Sequence, residues 1–196
     1  MRRLLSIAAL GLGVGLGLGL AACTATPPSK WAEGGARLDI PRARWALVEL
    51  AVDLLPDGTI WVNSEHVLTL DSAGRVINPD KEPVAMLMPD GRLLGKDDEP
   101  LGVVGSLHAS MPDEANAWLS VLPTGEVIRY IDDGERMNFG AWLGCNVSPR
   151  AQQSCTLVTH LLGMRIKEEQ DRLRASNGGY RPGMMPGMVP FGLGGW

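Results

Sequence analysis

The middle of the chain repeats itself about every 17 residues, and a short β-forming repeat leaves few ways to fold. Gly74-Arg75-Val76-Ile77, then Asp80, Glu82-Pro83 and an apolar stretch form one copy. Gly91-Arg92-Leu93-Leu94, then Asp97, Glu99-Pro100 and a second apolar stretch form the next. An earlier copy starts at Gly58 and a later one at Gly125, giving steps of 16, 17 and 34 residues, so one register near His108 has lost its glycine. Pro56-Asp57-Gly58, Pro89-Asp90-Gly91 and Pro123-Thr124-Gly125 are turn signals, because Pro presets φ and Gly accepts φ > 0. Between the turns lie strand-sized apolar segments: 59–62, 67–70, 75–77, 84–88, 101–104, 117–122 and 126–131. Residues 44–53 read as one further strand, although Trp45 to Leu50 could equally start a helix. No copy can bury its apolar face alone, so neighbours must pair or stack. The expected fold is mainly β: an antiparallel meander of these hairpins over residues 41–146, as a twisted sheet or open barrel.

A C-terminal helix is expected over 147–176. Ser148-Pro149 reads as an N-cap followed by proline at the first helical position. Cys155, Val158, Leu162, Ile166 and Leu173 then fall near one helical face, with opposite charges four apart on the other. This helix should pack on the sheet, over one face or an open end. The alternative is a free amphipathic helix that meets a partner. Residues 177–196 are rich in Gly, Pro and Met, have no periodicity, and read as a disordered tail.

The N-terminus carries the chain's address. Met1-Arg2-Arg3 precedes an apolar run from Leu4 to Leu20, which ends in Leu20-Ala21-Ala22-Cys23. A basic start, an apolar stretch and small residues form a secretory signal peptide. Leu-Ala-Ala-Cys also resembles the lipobox of bacterial lipoproteins. That resemblance implies cleavage before Cys23, a diacylglyceryl group on its sulfur, and an acyl chain such as palmitate on the new amine. The partner is then a lipid bilayer, held by two or more chains at about 0.8 kcal/mol per buried CH₂. The next residue is Thr24 rather than Asp, which by the same resemblance favours the outer membrane of a Gram-negative cell. The repeated hairpins of residues 45–145 also look similar to those of β-hairpin-repeat lipoproteins of such cells, a resemblance that implies no activity. A transmembrane helix is the competing reading of 4–22, but Gly11, Gly13, Gly15, Gly17 and Gly19 weaken it. Residues 1–22 are thus read as the leader, and 23–40 as the lipidated cysteine and a flexible tether.

Losing residues 1–22 removes two arginines and moves the formal charge from −4 to −6. Phosphate neutralisation needs basic clusters, so nucleic acid is not an expected partner. Cys145 and Cys155 remain in a compartment that permits oxidation, and a disulfide between them is expected. The alternative is two separate buried thiols.

No catalytic motif stands out. Gly-x-Ser-x-Gly, His-Glu-x-x-His and the phosphate loop are all missing from the sequence. His66, His108 and His160 fall in three different elements. The acidic turn Asp97-Asp98-Glu99 offers oxygens to a hard cation but lacks EF-hand spacing, so solvated turn acids are the default. Met184, Met185 and Met188 could bind Cu(I), with too few ligands to favour it. Neither a metal nor a cofactor is expected. Trp45, Trp61, Trp118 and Trp142 lie in or beside strands; a line of them on an outer face would point to glycan or peptide binding. The leading expectation is a non-enzymatic scaffold or binding module of the cell envelope, with an envelope protein or a glycan as partner. The alternative is an anchored hydrolase or metal-dependent enzyme with a site assembled across hairpins around His108, Asp97 and Asp98.

Overall fold

The computed structural model describes residues 26–48, 50–131 and 134–176. The expected leader, Cys23 and the tail 177–196 lie outside the described residues. Twelve strands follow one another: β1 (Ala43–Leu47), β2 (Leu50–Leu54), β3 (Thr59–Val62), β4 (Glu65–Leu70), β5 (Arg75–Ile77), β6 (Pro83–Leu87), β7 (Arg92–Gly95), β8 (Pro100–Val104), β9 (His108–Ser110), β10 (Ala117–Val121), β11 (Glu126–Tyr130) and β12 (Arg136–Leu143). Helix α1 (Pro149–Ser176) comes last. Each strand pairs antiparallel with the next, and β1 pairs with β12, so the meander closes into a barrel. At the closing seam Trp45 lies opposite Trp142. The segment 44–53 is a hairpin rather than one strand, turning after Leu47.

The repeat has a structural counterpart at one end of the barrel. In its hairpins the glycine N–H donates to the carbonyl three residues back: Gly58 to Leu55, Gly74 to Asp71, Gly91 to Met88, Gly125 to Leu122. The glycine carbonyl then accepts from the neighbouring hairpin: from Leu70 N at 2.9 Å, Leu87 N at 2.9 Å, Val104 N at 2.7 Å and Trp142 N at 2.7 Å. The register without a glycine is filled by Leu107, whose carbonyl accepts from Val121 N at 2.8 Å. Gly58 shows why glycine is used: its φ is +88°, and a Cβ there would sit 2.1 Å from the Leu70 carbonyl oxygen.

Strand residues alternate between the interior and the outer wall. Trp45, Val52, Leu54, Ile60, Val76, Leu93, Val104, Val127 and Trp142 belong to one continuous core. Arg44, Asp53, Arg92 and Glu126 point outward and are not buried. Strands of three to eight residues with charged outer faces do not make the apolar outer band of a lipid-spanning barrel, which takes about 9–11 residues per strand.

A twelve-strand ring is wider than the eight-strand ring that side chains alone can fill. Helix α1 occupies the difference. Ser148 caps it, its Oγ accepting from Ala151 N at 3.0 Å. The helix starts at the glycine-turn end, where Gln153 Nε2 donates to the Val104 carbonyl, Gln152 Nε2 to the Val121 carbonyl and Thr156 Oγ1 to the Ser106 carbonyl. It passes through the interior and leaves at the opposite end, where Gln170 meets Arg129 near the close of β11. Between Ala151 and Gly163 nearly every helix residue is buried, whichever way it faces. The expected sheet with a packed C-terminal helix is therefore present, but the sheet closes and encloses the helix instead of lying under it.

The expected tether is also different in its described part. Residues 26–39 strap the outside of the wall from one end to the other. Asp97 N donates to the Thr26 carbonyl at 3.0 Å, and Ser29 N to the Asp98 carboxylate at 2.7 Å. At the glycine-turn end Ala36 N donates to the Leu87 carbonyl and Leu38 N to the Ser72 carbonyl. Met86, between inward-facing Ala85 and Leu87, is fully buried under the strap, its Cγ 3.1 Å from where a Cβ on Gly35 would stand. Pro28 and Gly35 let the segment lie close, and its backbone groups find partners on the turns.

Candidate functional site

The two ends of the barrel differ, and the difference locates the candidate site. One end carries the glycine turns, the start of α1 and the disulfide. Cys145 and Cys155 are bonded, with Cα atoms 6.1 Å apart, tying the close of β12 to the first turns of the helix. Ser148 Oγ and Ser154 Oγ both donate to Asp39, at its carboxylate (2.6 Å) and its carbonyl (2.7 Å), fixing strap to helix. The other end carries the acidic turns, the start of the strap and the emerging C-terminal half of α1. Cys23 lies outside the described residues, three positions before Thr26.

The three histidines stay apart. His66 on the outer wall lies against Trp61, the rings tilted and their centres 5.4 Å apart, and its Nε2 lies 3.0 Å from both the Leu68 carbonyl and Thr69 Oγ1. His108 begins β9 at the glycine-turn end, with Nδ1 2.7 Å from Ser120 Oγ, which donates to the Tyr130 hydroxyl at 3.1 Å. His160 is inside, on α1. Asp97 and Asp98 lie in the turn between β7 and β8, at the end away from His108, and are engaged by the strap. The composite His108, Asp97 and Asp98 site is therefore not assembled. Among the described residues no three His, Cys, Asp or Glu side chains are placed to hold a metal ion. No helix among them is long and apolar enough to cross a membrane.

The tryptophans divide in the same way. Trp45, Trp118 and Trp142 are buried in the core; Trp61 faces outward without a row of companions among the described residues. Trp45 stacks on Trp142 at 5.9 Å and donates from Nε1 to the Phe139 carbonyl at 2.9 Å. Trp142 Nε1 donates to Thr159 Oγ1 at 2.7 Å. Inward-facing Arg129 lies against the rings of Trp118 and Phe139, 5.8 and 5.9 Å from their centres, and its Nη1 donates to Gln170 at 3.3 Å.

Surface carboxylates are held below their usual range by local donors: Asp57 by the Thr59 hydroxyl, Asp90 by the Arg92 guanidinium and Asp171 by the Lys167 ammonium. A surface hollow of about 350 Å³ lies outside the seam, beside Arg44, Asp53 and Leu143.

The polar residues that organise the interior are Gln152, Gln153, Thr156, Thr159 and His160. One signal for them is present in the sequence: residues 151–164 contain no Asp, Glu, Lys or Arg, although the next ten are densely charged. A helical stretch without a charged face is a stretch without a solvent face. Comparison with protein-family models, with curated proteins and with solved structures finds no match.

Proposed function

We propose that this chain is a lipid-anchored, non-enzymatic module of the cell envelope, tethered through acylated Cys23 and presenting its outer wall to an envelope protein or a glycan. One observation carries the reading: Leu20-Ala21-Ala22-Cys23 closes an apolar leader and stands just ahead of a segment fastened to a closed barrel. Cleavage there would leave almost no spare chain between lipid and fold. The barrel interior supports a binding role at the surface rather than a chamber or pore, because α1 and the core side chains occupy it. Thr24 after the cysteine favours the outer membrane.

Expression with labelled palmitate tests the anchor. Wild-type chain should take up label and lose residues 1–22, and Cys23→Ser should do neither. Equal label uptake by the two would refute the anchor. Crosslinking on intact envelopes, followed by mass spectrometry, tests the binding role. Recovery of a reproducible envelope partner supports it, and failure to capture one across several crosslinker chemistries counts against it.

A further inference from the structure

Among the described residues Trp61 is the one strand tryptophan outside the core. Its indole takes no part in core packing, yet it is held in place. Nε1 donates to Thr59 Oγ1 at 3.3 Å, and that hydroxyl donates to the Asp57 carboxylate at 2.7 Å. The His66 ring leans on the indole from β4 and is itself fixed by the Leu68 carbonyl and Thr69 Oγ1. An outward aromatic ring locked in one orientation lowers the ordering cost of a ligand that lies on it.

The strand register sets a charged pair beside this ring. Trp61 lies opposite Asp53 on β2, and Asp53 opposite Arg44 on β1. All three stand between buried neighbours, so they share the outer wall. Neighbouring strands are about 4.8 Å apart, so the row runs about 10 Å from Trp61 to Arg44. Arg44 Nη1 is 3.4 Å from Asp53 Oδ1, and the two side chains remain 58% and 38% exposed. A pair this exposed contributes little to stability. One contact also leaves most of the carboxylate's lone pairs and the guanidinium's N–H donors to a ligand. At Arg44 the row opens on the hollow of about 350 Å³, whose apolar lining is Ala43, Leu55 and Leu143.

From this row we propose that the outer wall of β1–β3 binds a neutral saccharide, one sugar ring lying on the Trp61 indole and the hydroxyls of the next bridging Asp53 and Arg44. A pyranose has an apolar C–H face that fits an aromatic ring and an edge of hydroxyls that both donate and accept. One acid and one base side by side cancel, so the row does not favour a strongly charged polymer. An extended proline-rich peptide also docks on aromatic rings, but in a groove lined by several of them, and this row holds one indole. A single platform suits a short stretch of glycan rather than a long track. The inference rests on the reading of the wall as a binding surface and narrows its partner to a sugar.

The test applies full-length purified chain to an array of neutral and anionic oligosaccharides, followed by calorimetric titration with the strongest neutral binder. Wild type should bind neutral sugars. Trp61→Ala should weaken binding about tenfold or more and Asp53→Asn several-fold, while Arg92→Ala on β7 leaves it unchanged. Trp61→Phe keeps a ring without the Thr59 bond and should fall between; it carries the test if the alanine variant does not fold. No neutral sugar bound, binding to anionic sugars alone, or an affinity that survives both Trp61→Ala and Asp53→Asn overturns the proposal. A proline-rich decapeptide bound through Trp61 in place of sugar overturns it as well. An envelope protein crosslinked to a chain that binds no sugar overturns the saccharide and leaves the surface-module reading standing.

Discussion

Trp118 Nε1 donates to His160 Nδ1 at 2.7 Å, inside the barrel and 42 residues along the chain. The other ring nitrogen, Nε2, lies 2.7 Å from the Leu101 carbonyl. The indole can only donate and the carbonyl can only accept, so the network assigns the proton to Nε2. The histidine is neutral, and it joins α1 to β8 and β10 at once.

This arrangement makes stability depend on pH. Burial pushes the His160 pKa down to about 4, against a smaller upward pull from the Leu101 carbonyl. The unfolded chain binds the proton near pH 6.5, so it holds more protons than the folded chain between those values. The contribution of His160 is therefore complete above about pH 6.5 and is lost as pH falls toward 4, reaching about 3 kcal/mol at the acid limit. Urea midpoints at pH 7 and pH 4.5 should differ more for wild type than for His160→Gln. Equal differences in the two proteins would show that another group dominates.

Gly163 on α1 faces the same tryptophan. An added Cβ would stand 2.9 Å from Trp118 Cη2 and 3.4 Å from Cζ2, with Phe139 Cε1 at 3.5 Å. The indole cannot swing away without breaking its bond to His160. Alanine gains about 1 kcal/mol of helix propensity over glycine, while overpacking costs about 1–3 kcal/mol. Gly163→Ala is expected to be destabilising by about 1 kcal/mol in chemical denaturation, with a changed tryptophan emission. A more stable variant with unchanged emission would mean that the interior is loose at this point.

The Cys145–Cys155 bond closes a loop of sequence separation 10. Loop-closure entropy gives an upper contribution of about 3 kcal/mol. Cys145→Ala/Cys155→Ala should lower the melting temperature, and unreduced wild type should be two hydrogens lighter than reduced. Removing both cysteines leaves two small apolar side chains in a buried site, so the barrel should still form.

Ser148 serves two partners: its Oγ accepts from Ala151 N at 3.0 Å and donates to the Asp39 carboxylate at 2.6 Å. Ser148→Ala should cost about 1 kcal/mol, the usual value of an N-cap. Ser148→Asp restores the acceptor but sets a second carboxylate against Asp39, so it should recover less stability than an isolated cap would. Denaturation midpoints of the three proteins check the ordering.

The parts legible in the sequence are those set by local chemistry. Turn glycines announce their hairpins, and Ser148-Pro149 announces the helix start, because φ and cap requirements act over a few residues. Even the register without a glycine can be counted, and Leu107 stands in it. Strands β7, β9 and β12 escape the reading because Arg92–Gly95, His108–Ser110 and Arg136–Leu143 contain no Val, Ile or Thr, whereas Arg75–Ile77, just as short, contains two. Closure is hidden because it depends on Trp45 meeting Trp142, a pairing across most of the domain that leaves no local mark. The strap is hidden for a related reason: Pro27-Pro28 and Gly34-Gly35 look like linker composition, and only the turns at Asp97 and Leu87 give their backbone groups partners. For the candidate site, the acidic turns are visible as composition, whereas their placement at the end toward which α1 runs comes from the path of the helix through the ring.

The pairing of the first strand with the last has a cost in time. A polypeptide emerging from its N-terminus must keep β1 unpaired on one side until residue 143 has been made, and α1 arrives later still. A growing ribbon with a bare edge at each margin and no filling is prone to join other copies of itself. Assembly should accordingly be slow and completed late, when the final helix fills the closing ring.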